Sequence, residues 1–189
     1  GGGHASTQFG SGNSGKHAIT LNLGARGGDG GDGGKITYKN LSGSIQTLGV
    51  ISPGLIAQSI GAGGGSSSVL ITGNDDSKTQ LSIVMGLRAG EGGDGSSVEL
   101  EPNQSILTFG QGSSAVVAQS IGGGGGLADI STMSSHATAP LSGSLFLGSR
   151  GGEGGHGGSV TLNNSGVIQT KGNQAQGLLL QSIGGGGGV

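Results

Sequence analysis

One short motif returns at an almost constant interval along the chain. The tripeptide Gln-Ser-Ile, followed each time by glycine, begins at Gln58, Gln119 and Gln181. These positions are 61 and 62 residues apart. An arginine that precedes a glycine-rich segment keeps nearly the same period, at Arg26, Arg88 and Arg150. A fixed period of this length is the signature of a repeat architecture. The sequence therefore predicts stacked copies of one unit rather than a single catalytic pocket.

The composition limits the classes of function. Glycine makes up 49 of the 189 residues, aromatic residues 2% and charged residues 10%, with a net charge of −2. This balance provides no basic patch for nucleic acid, and no apolar run approaches the roughly 18 residues of a membrane span. The absence of cysteine removes disulfides and thiolate metal sites. The remaining Ile, Leu and Val lie in short runs, which favour a thin stacked core.

The repeat divides the chain into units that we place at residues 1–60, 61–121 and 122–183, with residues 184–189 starting a fourth. The chain opens on three glycines, without an initiating methionine or signal peptide. We therefore expect it to be a piece of a longer repeat protein.

Each unit contains the same series of short β-like pieces. An alternating strand is followed by a glycine-rich segment and then by short pieces joined at Gly, Asn or Ser turns. The clearest piece ends in Gln-Ser-Ile and covers residues 55–60, 116–121 and 178–183. Short strands in units that contact only their neighbours are typical of a solenoid. We predict an all-β fold: a right-handed parallel β-solenoid of about three 62-residue repeats.

The glycine segments have a period of their own. Residues 27–34 read GGDGGDGG, residues 151–158 read GGEGGHGG, and residues 90–95 follow the triplet more loosely. A polyproline-II-type helix has three residues per turn, so every third side chain would lie on one edge and bare backbone on the other two. We predict polyglycine-II-type helices packed alongside the β-coils, with flexible glycine linkers as the alternative.

Carboxylates within these segments are candidate calcium ligands. Residues 27–32 fit the first six positions of a GGxGxDxUx nonapeptide that binds calcium. The fit ends at Gly34, which stands where the nonapeptide has a large apolar residue. Calcium takes six to eight oxygen ligands, so solvated carboxylates that keep the chain soluble are the competing interpretation. The candidate ligands are Asp29, Asp32, Glu91 and Asp94.

Three sets of side chains repeat with the unit. Each arginine of the repeat has an acidic residue three positions on, which predicts ion pairs with a positional role. The glutamines of the Gln-Ser-Ile motif are predicted to stack as an amide ladder. A similar row of threonines raises ice binding as an option; its members are Thr47, Thr108 and Thr170.

Nothing in the sequence favours an enzyme. The histidines, His4, His17, His136 and His156, hold non-equivalent positions in the repeat. The chain has neither a GxSxG nucleophile elbow nor a GxxxxGK[ST] phosphate-binding loop. The sparse charges also disfavour the acidic and basic cluster that a β-helical polysaccharide lyase needs.

A family resemblance rests on residues 159–172, SVTLNNSGVIQTKG, and residues 175–188, AQGLLLQSIGGGGG. They resemble the glycine-rich repeats of bacterial autotransporter (type V secretion) passenger domains, of the form NSG-x-I-x-T-x-G … GI-x-x-QSIGGGGG. The resemblance covers essentially the whole chain, although residues 102–104 read Pro-Asn-Gln in place of Asn-Ser-Gly. It implies a secreted, extracellular protein of the bacterial cell surface, mostly of the adhesin type, with an export signal and an outer-membrane barrel beyond this piece.

Together these features predict a structural or adhesive repeat that forms a stalk or fibre. Its expected partners are neighbouring repeats, including self-assembly into filaments, and a surface receptor that the sequence does not identify. The alternative is a ligand-binding module that is calcium-dependent or binds glycan or ice. Residues 66–78 and 127–140 differ between units and are predicted to be projecting loops.

Overall fold

The computed structural model describes residues 1–11, 18–39, 43–74, 80–135 and 145–189. His17 and His136 lie outside these residues, as do the last residues of the two variable segments, 75–78 and 136–140. All regular structure in the described part is β-strand. In chain order the strands are β1 (Ala5–Ser11), β2 (Ala18–Arg26), β3 (Ile36–Lys39), β4 (Ser44–Thr47), β5 (Leu55–Ile60), β6 (Ser67–Asn74), β7 (Gln80–Arg88), β8 (Val98–Glu101), β9 (Ser105–Thr108), β10 (Val116–Ile121), β11 (Ala128–Ser135), β12 (Leu145–Arg150), β13 (Val160–Leu162), β14 (Ile168–Thr170) and β15 (Leu178–Ile183).

The strands stack in parallel with the period of the sequence repeat. Five three-stranded sheets are formed, in the orders β1–β6–β11, β2–β7–β12, β3–β8–β13, β4–β9–β14 and β5–β10–β15. Leu55 pairs with Val116, and Val116 pairs with Leu178, so like residues lie above one another. The fold is therefore all-β and solenoid-like. We call each set of strands at one level a rung.

Three sheets, β3–β8–β13, β4–β9–β14 and β5–β10–β15, surround the apolar core and are called the coil sheets. Alternate residues of their middle strands point inward, and Val98, Leu100, Ile106, Val116 and Ala118 are at most 1% exposed. Their counterparts in the outer rungs are partly covered or exposed, except Ala57, which is buried as well. Full burial of one Val, Leu or Ile side chain is worth about 1.5–3 kcal/mol. Stacking rung upon rung is therefore what completes the core.

The other two sheets, β1–β6–β11 and β2–β7–β12, contact each other beside the coil and are called the arm sheets. Their presence corrects one prediction. The variable segments are not projecting loops in their described parts, because residues 67–74 and 128–135 are strands of one arm sheet. Backbone pairing between rungs does not require the two side-chain sequences to match, so sequence variation did not reveal these strands.

A tight corner joins the second and third coil sheets in each rung. One residue of this corner has a positive φ in every rung: Ile51 at 50°, Gly112 at 68° and Gln174 at 57°. Glycine adopts this left-handed conformation easily, whereas a β-branched residue does so only at a cost. Ile51 is nevertheless 77% exposed and gains no core contact. The corner geometry is thus imposed by the stack, not by the local sequence.

Candidate functional site

Two glycine-rich connections cross between the coil sheets and the arm sheets in each rung. One leads from the second arm sheet to the first coil sheet, and the other leads from the third coil sheet to the first arm sheet. We call them together the glycine layer, which comprises residues 1–3, 27–34, 61–65, 89–95, 122–126, 151–158 and 184–188. It contains no helix or strand by hydrogen-bond pattern. Its order comes from bonds between connections.

Connections of the same kind bond to each other from rung to rung. The N–H groups of Gly27, Gly30 and Gly33 donate to the carbonyls of the residues 61 positions on, at 2.9, 2.7 and 2.7 Å. The next rung repeats the pattern: Gly92 and Gly95 donate to the carbonyls of Glu153 and His156, both at 2.7 Å. Donors therefore recur at every third residue, which matches the triplet period of the sequence.

Connections of opposite kinds bond to each other in a zigzag. Gly155 donates to Gly123, Gly123 to Gly93, Gly93 to Ala62 and Ala62 to Gly31, each at 2.8 Å. A second zigzag runs parallel to it through Gly188, Gly152, Gly126, Gly90, Gly65, Gly28 and Gly3. The donor in these bonds within residues 27–34 and 89–95 is the second residue of a triplet, whereas the bonds between connections of the same kind use the first.

Glycine is required where the backbones meet. A Cβ on Gly93 would overlap the carbonyl oxygen of Gly31, and one on Gly123 would overlap the carbonyl oxygen of Ala62. A Cβ on Gly31, which holds the same position as Gly93 in the first rung, would have no atom within 4 Å, since no other described rung packs on that side. The side-chain-free edges are thus packing surfaces, while the third edge faces outward.

Aspartates on the outward edge accept the third N–H of the triplet. Asp29 Oδ1 accepts from the backbone N–H of Glu91 at 3.0 Å, and Asp32 Oδ1 accepts from that of Asp94 at 2.8 Å. Asp94 Oδ1 accepts in turn from the N–H of His156 at 2.7 Å. These carboxylates therefore link one rung to the next.

Two of the three expected arginine pairs are formed. Arg26 contacts Asp29 at 2.9 Å, and Arg150 contacts Glu153 at 3.2 Å. The N–H of Glu91 that points at Asp29, aided by the Arg26 guanidinium, holds the pKa of the Asp29 carboxyl below its usual value. The described residues show no Arg88–Glu91 ion pair, although both side chains line one shallow groove with the other two arginines. At least half of each of these side chains is exposed, so solvent screens the pairs and they add little to stability.

The four candidate calcium ligands lie on this outward edge, spread over two rungs. Asp29, Asp32 and Asp94 each already accept a backbone N–H, and Asp29 also binds Arg26. Within the described ranges, no three His, Asp or Glu side chains come close enough together to hold a metal ion. The structure thus gives the aspartates a structural contact that the calcium hypothesis did not anticipate.

The repeated glutamines lie on the outer face of β5–β10–β15. Gln58 Nε2 donates to Gln119 Oε1, and Gln119 Nε2 donates to Gln181 Oε1, both at 2.6 Å. The glutamines therefore form a continuous amide row along the stack on a solvent-facing surface.

The serine of the same motif has a role that the sequence analysis missed. Ser120 Oγ donates to the carbonyl of Ser96 at 2.8 Å and accepts from the N–H of Gly158 at 2.7 Å, and Ser120 is fully buried. One rung earlier, Ser59 Oγ accepts from the N–H of Ser96 at 2.9 Å. These serines fasten the glycine layer to the coil. The available signal was their two-residue spacing from Ala57 and Ala118, which places each serine on the same face of its strand as that alanine.

The threonine row points inward, so the suggestion that it binds ice is wrong for these residues. Thr108 is fully buried. The Thr47 hydroxyl donates to the carbonyl of Ser52 at 2.7 Å, and the Thr170 hydroxyl donates to that of Ala175 at 3.3 Å. Each hydroxyl thereby holds the corner that follows its own strand.

No helix among the described residues has the length and apolar character of a membrane span. Comparison with protein-family models, curated proteins and solved structures gave no match for this chain. The geometry above is therefore the basis for a functional proposal.

Proposed function

We propose that the chain is a structural and adhesive repeat of a secreted bacterial surface protein of the autotransporter type. In this proposal it is a right-handed β-solenoid of three repeats with polyglycine-II helices alongside. Many such units, stacked in one chain, form a stalk or fibre outside the cell. The proposal assigns no catalytic residue and no cofactor.

The observation that carries the proposal is the continuity of bonding along the stack. Five parallel sheets, the amide row and the bonds between glycine connections of the same kind all join residues 60 to 62 positions apart. Such a stack grows by addition of identical units, because each rung supplies donors and acceptors for the next. A rung advances the stack by only about 4.8 Å, so each unit contributes width and stiffness more than length.

The bonding of the glycine layer supports the helical interpretation of these segments. A three-residue turn directs successive N–H groups in three directions. The triplets here send one N–H to the same kind of connection, one to the opposite kind and one to an aspartate. Flexible linkers would have no reason to keep this three-residue order.

A tandem protein tests the stacking. Ser66, Leu127 and Val189 accept equivalent bonds from Ala5, Ser67 and Ala128, so fusing Val189 directly to the Ala5 of a second copy continues the repeat. We expect one particle whose height along the stack grows by about 14 Å, three rungs at the strand spacing, in small-angle scattering or electron microscopy. Two separate particles joined by a tether would refute the proposal.

Surface display tests the adhesive part. Bacteria that carry the tandem protein on their surface should attach to host cells or abiotic surfaces more than cells that carry a non-repeat domain of equal length. Equal attachment of the two kinds of bacteria would overturn the adhesive part of the proposal and leave the chain as a stalk only.

A further inference from the structure

The outer face of β5–β10–β15 presents a regular array of side chains. Three rows run along the stack: an aliphatic row, the glutamine row and a row of isoleucines. We call this surface the amide face; its members are Ile56, Val117, Leu179, Gln58, Gln119, Gln181, Ile60, Ile121 and Ile183.

The amide face is open and uncharged. Ile56 is 54% exposed, Ile60 55% and Ile183 42%. Three exposed glycines of the glycine layer stand three residues after the isoleucines: Gly63, Gly124 and Gly186. Its aliphatic side chains repeat in register on three neighbouring strands.

We propose that the amide face pairs with the same face of a second copy, so that two stacks lie side by side. The partner must match side chains that recur along each row at the strand spacing of about 4.8 Å, and another copy of this stack has that spacing. In-register parallel strands with amide ladders and aliphatic rows form dry, interdigitated contacts between facing sheets. Without charges, the face meets its own copy without electrostatic repulsion.

Other surfaces of the molecule fit a second copy less well. The first coil sheet carries the ion pairs Lys35–Glu99 at 2.9 Å and Lys39–Glu101 at 3.0 Å, which self-association would desolvate. The described surfaces therefore favour lateral contact through the amide face.

The expected strength is low for three rungs and grows with stack height. Six residues and three strands give a face of about 20 by 14 Å. Pairing would bury on the order of 600 Å² in total, below the range of stable complexes. Each added rung contributes roughly another 100 Å² per copy. The contact thus becomes firm only between long stacks, where it bundles them.

Single-cysteine crosslinking tests the proposal, because the chain has no cysteine of its own. Val117→Cys lies on the middle rung, in the aliphatic row beside the central glutamine row. Leu107→Cys is the matched control, since Leu107 is also an outward, half-buried aliphatic residue of a middle strand. At about 1 mM protein under mild oxidation, we expect the Val117→Cys dimer to form at least about tenfold faster. Circular dichroism of both variants verifies that each is folded.

Equal rates at the two positions would overturn the proposal, as would a Val117→Cys protein that stays monomeric at the highest concentration. Protection of Val117→Cys by an added polysaccharide, without dimer formation, would instead assign the face to a glycan and also overturn it. The readout does not depend on secretion, adhesion or stalk length. The proposed function can therefore fail while lateral pairing is observed, and lateral pairing can be absent while the proposed function holds.

Discussion

Replacement of Gly93 by alanine is the sharpest test of the glycine layer. Gly93 lies on the middle rung, where its N–H donates to Ala62 and its carbonyl accepts from Gly123, both at 2.8 Å. A Cβ at this position would overlap the carbonyl oxygen of Gly31 and lie 2.9 Å from that of Gly30. The methyl group can be accommodated only if the neighbouring connections separate.

The cost follows from these contacts. Overpacking a well-packed interior costs about 1–3 kcal/mol, and each of the two strained hydrogen bonds contributes about 0.5–1.5 kcal/mol net. We expect Gly93→Ala to lower the free energy of unfolding by about 2–4 kcal/mol. With a urea m-value of about 1–3 kcal/mol/M, the midpoint should fall by roughly 1 M or more.

Gly31→Ala is the matched control, because its Cβ would enter open space within the same triplet system. Its φ is not in the left-handed region, so alanine should stabilise by about 0.4–1 kcal/mol through the unfolded chain. Urea unfolding followed by circular dichroism gives both values. Amide hydrogen exchange at Gly123 reports whether the layer opens locally.

Two alanine variants of equal stability would refute the reasoning. If the glycine segments were flexible linkers, both substitutions would lower the conformational entropy of the unfolded chain equally. Neither new methyl group would then clash with another backbone. Free-chain exchange rates at Gly93 and Gly123 in the parent protein would refute it as well.

Three further predictions concern the corner, the serine fastening and the acid response. Ile51→Gly should stabilise the protein by about 1 kcal/mol, measured by urea unfolding, because it removes a β-branched residue from the left-handed region. Ser120→Ala should destabilise it by about 1–3 kcal/mol in the same assay, since a buried donor and a buried acceptor lose their partner. The pKa of Asp29 is lowered in the folded state, so its contribution is present above the usual value near 3.9 and is lost as pH falls through the folded value. Asp29→Asn keeps an acceptor oxygen, so its melting temperature should fall less than that of the parent between about pH 5 and 2.

Each of these has an outcome that would contradict it. A gain of the same size for Val50→Gly, next to the corner residue, would show that the left-handed φ is not the cause. Ser182→Ala removes the exposed counterpart at the last rung, and a loss equal to that of Ser120→Ala would rule out the buried hydrogen bonds as the reason. Parallel acid melting curves for Asp29→Asn and the parent would exclude a contribution from that carboxyl.

The period and the alternation predicted much of the coil. Residues 55–60, 116–121 and 178–183 were predicted as strands and coincide with β5, β10 and β15. The inward position of Thr108 was also accessible, because it stands two residues after Ile106 and must share its face. The arm strands β6 and β11 were missed, because their apolar residues do not alternate regularly and so give no strand pattern.

The sequence by itself determined the repeat length, and with it the register in which like residues stack. It also determined where glycine triplets separate the β-pieces. Only the tertiary structure decided which face of Leu55–Ile60 is inside, because this strand carries apolar residues on both faces. The small residues Ala57 and Ser59 turn inward there, where the glycine layer approaches closely, and the larger Ile56 and Ile60 remain outside. Likewise, no local pattern shows that the carboxylate of Asp32 accepts the N–H of Asp94, since that bond exists only once two rungs are stacked.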